Sequence, residues 1–197
     1  MTTKVHAARA ATHRLIRWYE YGLANHTSFA VRDVALLRRA VGRDPEDCPA
    51  ALGIITSEID EQYQGDGWVS DVERAVFIAI TLWALHSQSL STPAYTASTK
   101  DVAAANIGQA VRTLILRETG SSYGDHPITR RWQYLIAADT ADLFATRARS
   151  IVTQLRRAGI SFDYADLAGA LVHWDAYPET RKRALVRWSR NPRTTTN

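Results

Sequence analysis

The chain has 197 residues, is 46% hydrophobic and carries a formal net charge of +4, with a sequence pI near 9.4. This is enough apolar residue for one folded domain, or two small ones sharing a core, and it excludes a disordered tail. No run approaches the roughly 18 apolar residues of a membrane span, the N-terminus lacks the uninterrupted apolar core of a secretory signal, and the single Cys48 excludes an internal disulfide or a multi-cysteine metal site.

A first helix is expected over residues 5–24, with Ala8, Ala11, Leu15, Trp18 and Leu23 near one side. Ser28 caps a second, Phe29 to Val41, which Gly42 ends. Its core positions are Val31, Val34, Leu37 and Val41; Arg38 and Arg39 fall in its last turn, where cations favour the helix dipole. Residues 42–49 are a loop, and a short helix over residues 50–63 follows. Ser70, with Glu73 three residues on, is a capping box that opens the most apolar helix of the chain. Residues 90–100 are small, polar and interrupted by Pro93. They read as the linker between an N-terminal helical domain, residues 1–100, and a C-terminal one, residues 101–197.

In the second half, residues 106–120 form a helix with Ile107, Val111, Leu114 and Ile115 inward and Arg112 outward. Residues 125–159 read as two helices back to back. The first has Asp125 as cap, Pro127 in its first turn, and Ile128, Trp132, Leu135 and Ile136 on one face, with Arg130 and Arg131 off it. The second starts at Asp139 or Thr140 and stops at Gly159. Its apolar stripe is Phe144, Ala148, Ile151 and Leu155; Arg149 and Arg156 share a stripe beside it, next to Thr146 and Thr153. Asp163 caps a helix bearing Leu167, Leu171 and Trp174, and residues 179–188 make a last basic helix. Period-two alternation is nowhere sustained. The expected fold is all-α, two small helical bundles joined by a short loop, with no sheet.

Charge is unevenly placed. Nine acids and no Lys or Arg lie between Asp44 and Glu73, whereas from Arg147 onward ten basic residues face four acids. Such a chain can dock a polyanion with one end. Only Lys4, Lys100 and Lys182 are lysines. The planar, multidentate guanidinium suits phosphate, although GC-rich codons produce the same bias and a solvated helix face explains any single arginine stripe. No GxxxxGK[ST], GxGxxG or HExxH occurs, and the six histidines are scattered. Cys48, beside Asp47, is a poor nucleophile. No catalytic residue, metal ligand or cofactor is expected. The six tryptophans suit base stacking or core packing, with core the better reading for Trp83, Trp132 and Trp174.

Several blocks occur in order: ALLRRAVG (35–42), GWVSDVERAVFIAITLWALHSQS (67–89), IGQAVRTL (107–114), RRWQYLIAAD (130–139), RARSIVTQLRRAGISFDYADLAGALVHW (147–174) and RKRALVRWSR (181–190). Together they resemble the CasB family, the small subunit of the type I-E CRISPR surveillance complex, Cascade. The residues make the cytoplasm the default compartment, and the resemblance implies a non-catalytic, two-part helical protein. It implies that two copies sit beside the other Cascade subunits, help hold guide RNA and target DNA, and stabilise the displaced strand. By position it implies basic contacts at Arg39, Arg131, Arg149, Arg181 and Arg183, with Arg74 offset from its match by a residue or two. The outward Arg112 and Arg156 complete the candidate set. Ala137 and Gln109 stand where some members carry a basic residue. The alternative from the residues themselves is a helix-turn-helix DNA-binding regulator built around Ala138–Thr140.

Overall fold

A helix that is apolar on every face needs partners on every side, and residues 71–86 have them. The computed structural model describes residues 2–99, 104–120 and 126–190. Among these, nine α-helices follow in order: α1 (Thr2–Ala24), α2 (Ser28–Arg39), α3 (Pro49–Thr56), α4 (Asp71–His86), α5 (Ile107–Thr119), α6 (Pro127–Ile136), α7 (Ala141–Arg157), α8 (Tyr164–Leu171) and α9 (Pro178–Ser189), with 3-10 turns at Pro45–Asp47 and Glu61–Tyr63. Helix α4 is buried almost throughout, packed against α1, α2, α3, α7 and α8. Around it α1 lies on α8, α6 on α7, and α5 reaches α6, α7 and α9. One continuous core runs through all of these, from Ala8 to Trp188. Residue 100, the suggested boundary, is outside the described residues; the helices before it pack directly on those after it.

The chain is all-α. Among the described residues the one strand-like pairing is an isolated parallel bridge between Tyr95 and Phe162. No described helix is long and apolar enough to cross a membrane.

The local signals act as expected at most helix starts. Ser70 Oγ accepts from the Glu73 amide at 3.2 Å, and Glu73 Oε2 accepts from the Ser70 amide at 2.8 Å. Thr140 and Asp163 cap α7 and α8 through their side chains. A second capping box, Asn106 with Gln109, opens α5; the polar pair meets the same rule with an amide in each role. Asp125 lies outside the described residues, and the α6 cap is His126, whose Nδ1 accepts from the Ile128 amide.

Several local expectations change. Ser28, expected as a cap, lies inside α2, whose N-cap is Thr27, and α8 stops at Leu171, short of Trp174. Helix α3 stops at Thr56 instead of residue 63. Thr56 and Ser57 donate their hydroxyls to the carbonyls of Gly53 and Ile54, and the Gln64 amide takes the carbonyls of Thr56 and Ile59; side chains thus replace the continuing ladder. Trp18 and Val31, expected inward, are 58% and 54% exposed. The buried arc of α1 runs through Ala11, Leu15, Ile16 and Tyr19, and that of α2 through Ala30, Val34 and Leu37, each rotated from the expected stripe. Trp188 is buried as fully as Trp83 and Trp174, so it cannot stack on a base, while Trp132 is half-buried.

Where α4 ends, His86 is sealed in the core, with Nδ1 hydrogen-bonded to the Tyr164 hydroxyl at 2.8 Å. Burial, reinforced by the Arg156 charge, lowers its pKa from 6.5 to about 4. The folded state therefore holds His86 neutral while the unfolded chain protonates it below pH 6.5. The stability this represents is complete above pH 6.5 and is lost as pH falls towards 4, about 3 kcal/mol in all. Urea midpoints at pH 7 and pH 4.5 should show a steeper acid loss in the wild type than in His86→Gln. Equal losses would show that His86 is not a source of the acid sensitivity.

Candidate nucleic-acid interface

The hairpin of α6 and α7 carries an open cationic surface. Pro127 and the Thr140 cap define its two helix starts, and α7 anchors it by burying Phe144, Ala148, Ile151, Val152 and Leu155. Across the hairpin, Arg147 donates to the Tyr134 carbonyl at 2.6 Å, and its guanidinium carbon sits 3.7 Å from the centroid of the Tyr134 ring. Pairing of 134 with 147, and of 128 and 131 with 150, 153 and 157 along one groove, makes the helices antiparallel.

That groove has a volume of about 730 Å³ and is open to solvent. Arg131 enters from α6, and Arg149 and Arg157 from α7; Glu118 of α5 is its one acid among the described residues. All three arginines are exposed, and no hydrogen bond or ion pair engages them within the described residues. Arg149, Thr153 and Arg157 recur every four residues, so they form one stripe, its ends about 12 Å apart along the axis. The groove hydroxyls do not compete as donors. Thr146, Ser150 and Thr153 donate to the carbonyls of Asp142, Arg147 and Arg149. Anion binding here therefore rests on the guanidiniums.

The eight arginines singled out from sequence divide into two groups of four. Arg131 and Arg149 are brought together in the groove. Arg39 is exposed at the end of α2, where Gly42, at φ +73°, lies against the backbone of Thr146; this places that end beside the groove. Arg183 is exposed elsewhere, in a cleft of about 260 Å³ with Arg9 and Arg187. The remaining four are held internally. Arg74 donates both bonds of one nitrogen to Asp142 at 2.8 and 2.9 Å and lies 3.8 Å from Asp44. Burial lowers its pKa, but Asp142, Asp44 and Glu46 more than offset this and raise it. Arg112 donates to the Ser189 carbonyl at 2.7 Å and Arg181 to that of Asp139. Arg156 donates to Gln88 Oε1 at 2.8 Å and reaches the Leu85 carbonyl. Arg38, beside it, takes the Ala84 carbonyl at 3.2 Å. The two together satisfy carbonyls that the end of α4 leaves without helical partners, and burial and the Arg156 charge lower the Arg38 pKa.

Arg157 is the groove residue that sequence reasoning missed. A spacing of seven from Arg149 selects Arg156, which turns to the end of α4, and a spacing of four through Thr153 selects Arg157, which faces solvent. Of the tryptophans, Trp18 and Trp68 are the exposed ones, and neither lines the groove. Among the described residues no group of three His, Cys, Asp or Glu side chains is placed to hold a metal ion.

Residues 33–191 match the family described as CRISPR-associated protein Cse2. The structure is similar to that of CasB from Thermobifida fusca, with 26% identity, a TM-score of 0.71, and coverage of 92% of this chain and 94% of that one. It also shares the fold of a CRISPR-associated protein of the Cse2 family from Thermus thermophilus, with 20% identity, a TM-score of 0.60, and coverage of 91% and 95%. No curated protein matches the chain significantly.

Proposed function

The chain belongs to the CRISPR-associated Cse2 family, and on that premise we propose that it is a non-catalytic small subunit of a type I-E Cascade complex. In this reading it works in the cytoplasm beside the other subunits and a second copy of itself. It grips the backbones of guide RNA and target DNA and steadies the displaced strand. The observation that carries the proposal is the α6–α7 groove, where three guanidiniums without partners among the described residues line one solvent-open channel. In RNA-guided recognition base pairing reads the sequence, so a subunit needs backbone contacts and no base-reading motif. A helix-turn-helix regulator needs a second helix free to enter a major groove. The two helices of that motif cross at about 90–120°, whereas α6 and α7 lie antiparallel.

The test is fluorescence anisotropy of labelled single-stranded DNA and RNA of unrelated sequences across a salt series. Three phosphate contacts on a single strand predict log Kobs falling with log salt at a slope of about −2, with no sequence preference. A flat salt series would remove the backbone-gripping role, and sequence-specific duplex binding would favour the regulator instead.

A further inference from the structure

Beyond its guanidiniums, the hairpin carries an aromatic ring set in a fixed plane at the end of the groove. Tyr134 lies three residues, about 4.5 Å of rise, beyond Arg131 on α6. Its neighbour across the hairpin, Arg147, directly follows Thr146, which lines the groove. The ring is 60% exposed although the Arg147 guanidinium sits over one of its faces at 3.7 Å; the other face is therefore the open one. Two things hold the plane still. Arg147 is anchored by its hydrogen bond to the Tyr134 backbone carbonyl, and the cation over the ring restrains rotation about the side chain. The ring has no aromatic partner among the described residues, unlike Trp18, which stacks on Phe29 at 5.6 Å.

We propose that Tyr134, braced by Arg147, is a stacking platform for one unpaired base at the end of the cationic groove, and that it makes the groove prefer single strands over duplex. The inference rests on the groove's role in gripping a strand and adds to it the physical state of the ligand. Phosphates on the guanidiniums of Arg131, Arg149 and Arg157 would run the backbone along the hairpin. A base on that strand can turn onto the ring only if it is not paired, since paired bases are stacked inside the duplex. Any base has a π face, so the platform adds affinity without sequence preference.

The experiment compares three labelled probes of equal length: a single-stranded oligothymidylate, the same strand carrying an abasic run, and a matched duplex. Each is titrated with the wild-type chain, Tyr134→Ala and Tyr134→Phe. The Ala variant keeps the backbone carbonyl that anchors Arg147 and alters an exposed position, so the fold and the groove charge stay the same. Tyr134→Ala is expected to bind oligothymidylate at least ~5-fold more weakly, while Tyr134→Phe stays within about 2-fold of wild type. Binding of the abasic strand and of the duplex should be the same for all three proteins. If Tyr134→Ala binds oligothymidylate as wild type does, or weakens equally on the abasic strand, the platform is refuted while the groove stands. If the wild type shows no salt-dependent binding of any probe, the groove reading fails and the platform with it.

Discussion

The double charge reversal Arg131→Glu with Arg149→Glu is expected to lower single-strand affinity by about 100-fold at low salt. Each guanidinium–phosphate contact is a charge-assisted hydrogen bond of about 1.5 kcal/mol or more, and two of them correspond to roughly two decades in Kd. The salt slope should flatten by about 1.4, since each phosphate released from a guanidinium on a single strand takes away close to 0.7. Both side chains are exposed and without intramolecular partners among the described residues, so thermal stability should stay near that of the wild type. The informative contrast is with Arg74→Ala and Arg156→Ala. These arginines are engaged by Asp142 and by Gln88 and the end of α4, so their loss should cost stability and leave the salt slope in place. A slope that flattened equally in Arg156→Ala would mean that the internal contacts give way to nucleic acid on binding. A slope unmoved in the double reversal would place the strand elsewhere, with the Arg9, Arg183 and Arg187 cleft the next surface to probe.

Trp188→Ala is expected to destabilise the fold by about 3–5 kcal/mol, the range for removing a large aromatic from a packed core. For a domain of roughly 5–15 kcal/mol total stability this is a large share. The indole is 1% exposed and stacks on Trp174 at 5.6 Å, with Phe144 at 5.8 Å and Trp132 at 6.5 Å between ring centres. These four rings join α6, α7, the end of α8 and α9. The Trp188 backbone also passes so close to α5 that a Cβ on Gly108 would clash with its carbonyl oxygen, so α9 cannot shift inward to fill the space. Because Trp132 follows Arg131 on α6, loss of Trp188 should weaken the support of the groove as well. The check is the urea midpoint followed by far-UV circular dichroism, together with single-strand affinity measured well below that midpoint. A change under about 1 kcal/mol, well short of the range for a large core aromatic, would show that the cluster repacks without its central ring.

Much of the fold was legible because it depends on neighbours in sequence. The Ser70–Glu73 box, the Thr140 and Asp163 caps and the stop before Gly159, at positive φ, follow from which backbone groups a nearby side chain can reach and from the conformations glycine permits. The apolar stripe of α7 is visible at the same range. Where an amide pair replaces the usual hydroxyl and carboxylate, as at Asn106 and Gln109, the same box is harder to see. Rotational error is the other limit: Trp18 and Val31 sit at the edges of their arcs, and a helix wheel cannot say where its partners begin and end.

By itself the sequence determined an all-helical chain, an arginine-rich C-terminal half and the order of blocks that marks a Cse2 protein. Tertiary structure alone decided which arginines are free. Arg156 and Arg157 are adjacent, chemically identical and separated by one step of about 100° on the helix. The first meets the end of α4, where carbonyls without helical partners draw a multidentate donor inward. The second faces the open groove. The difference lies in a helix far away in sequence, with Arg156 reaching back to Leu85 and Gln88, and no local pattern encodes it.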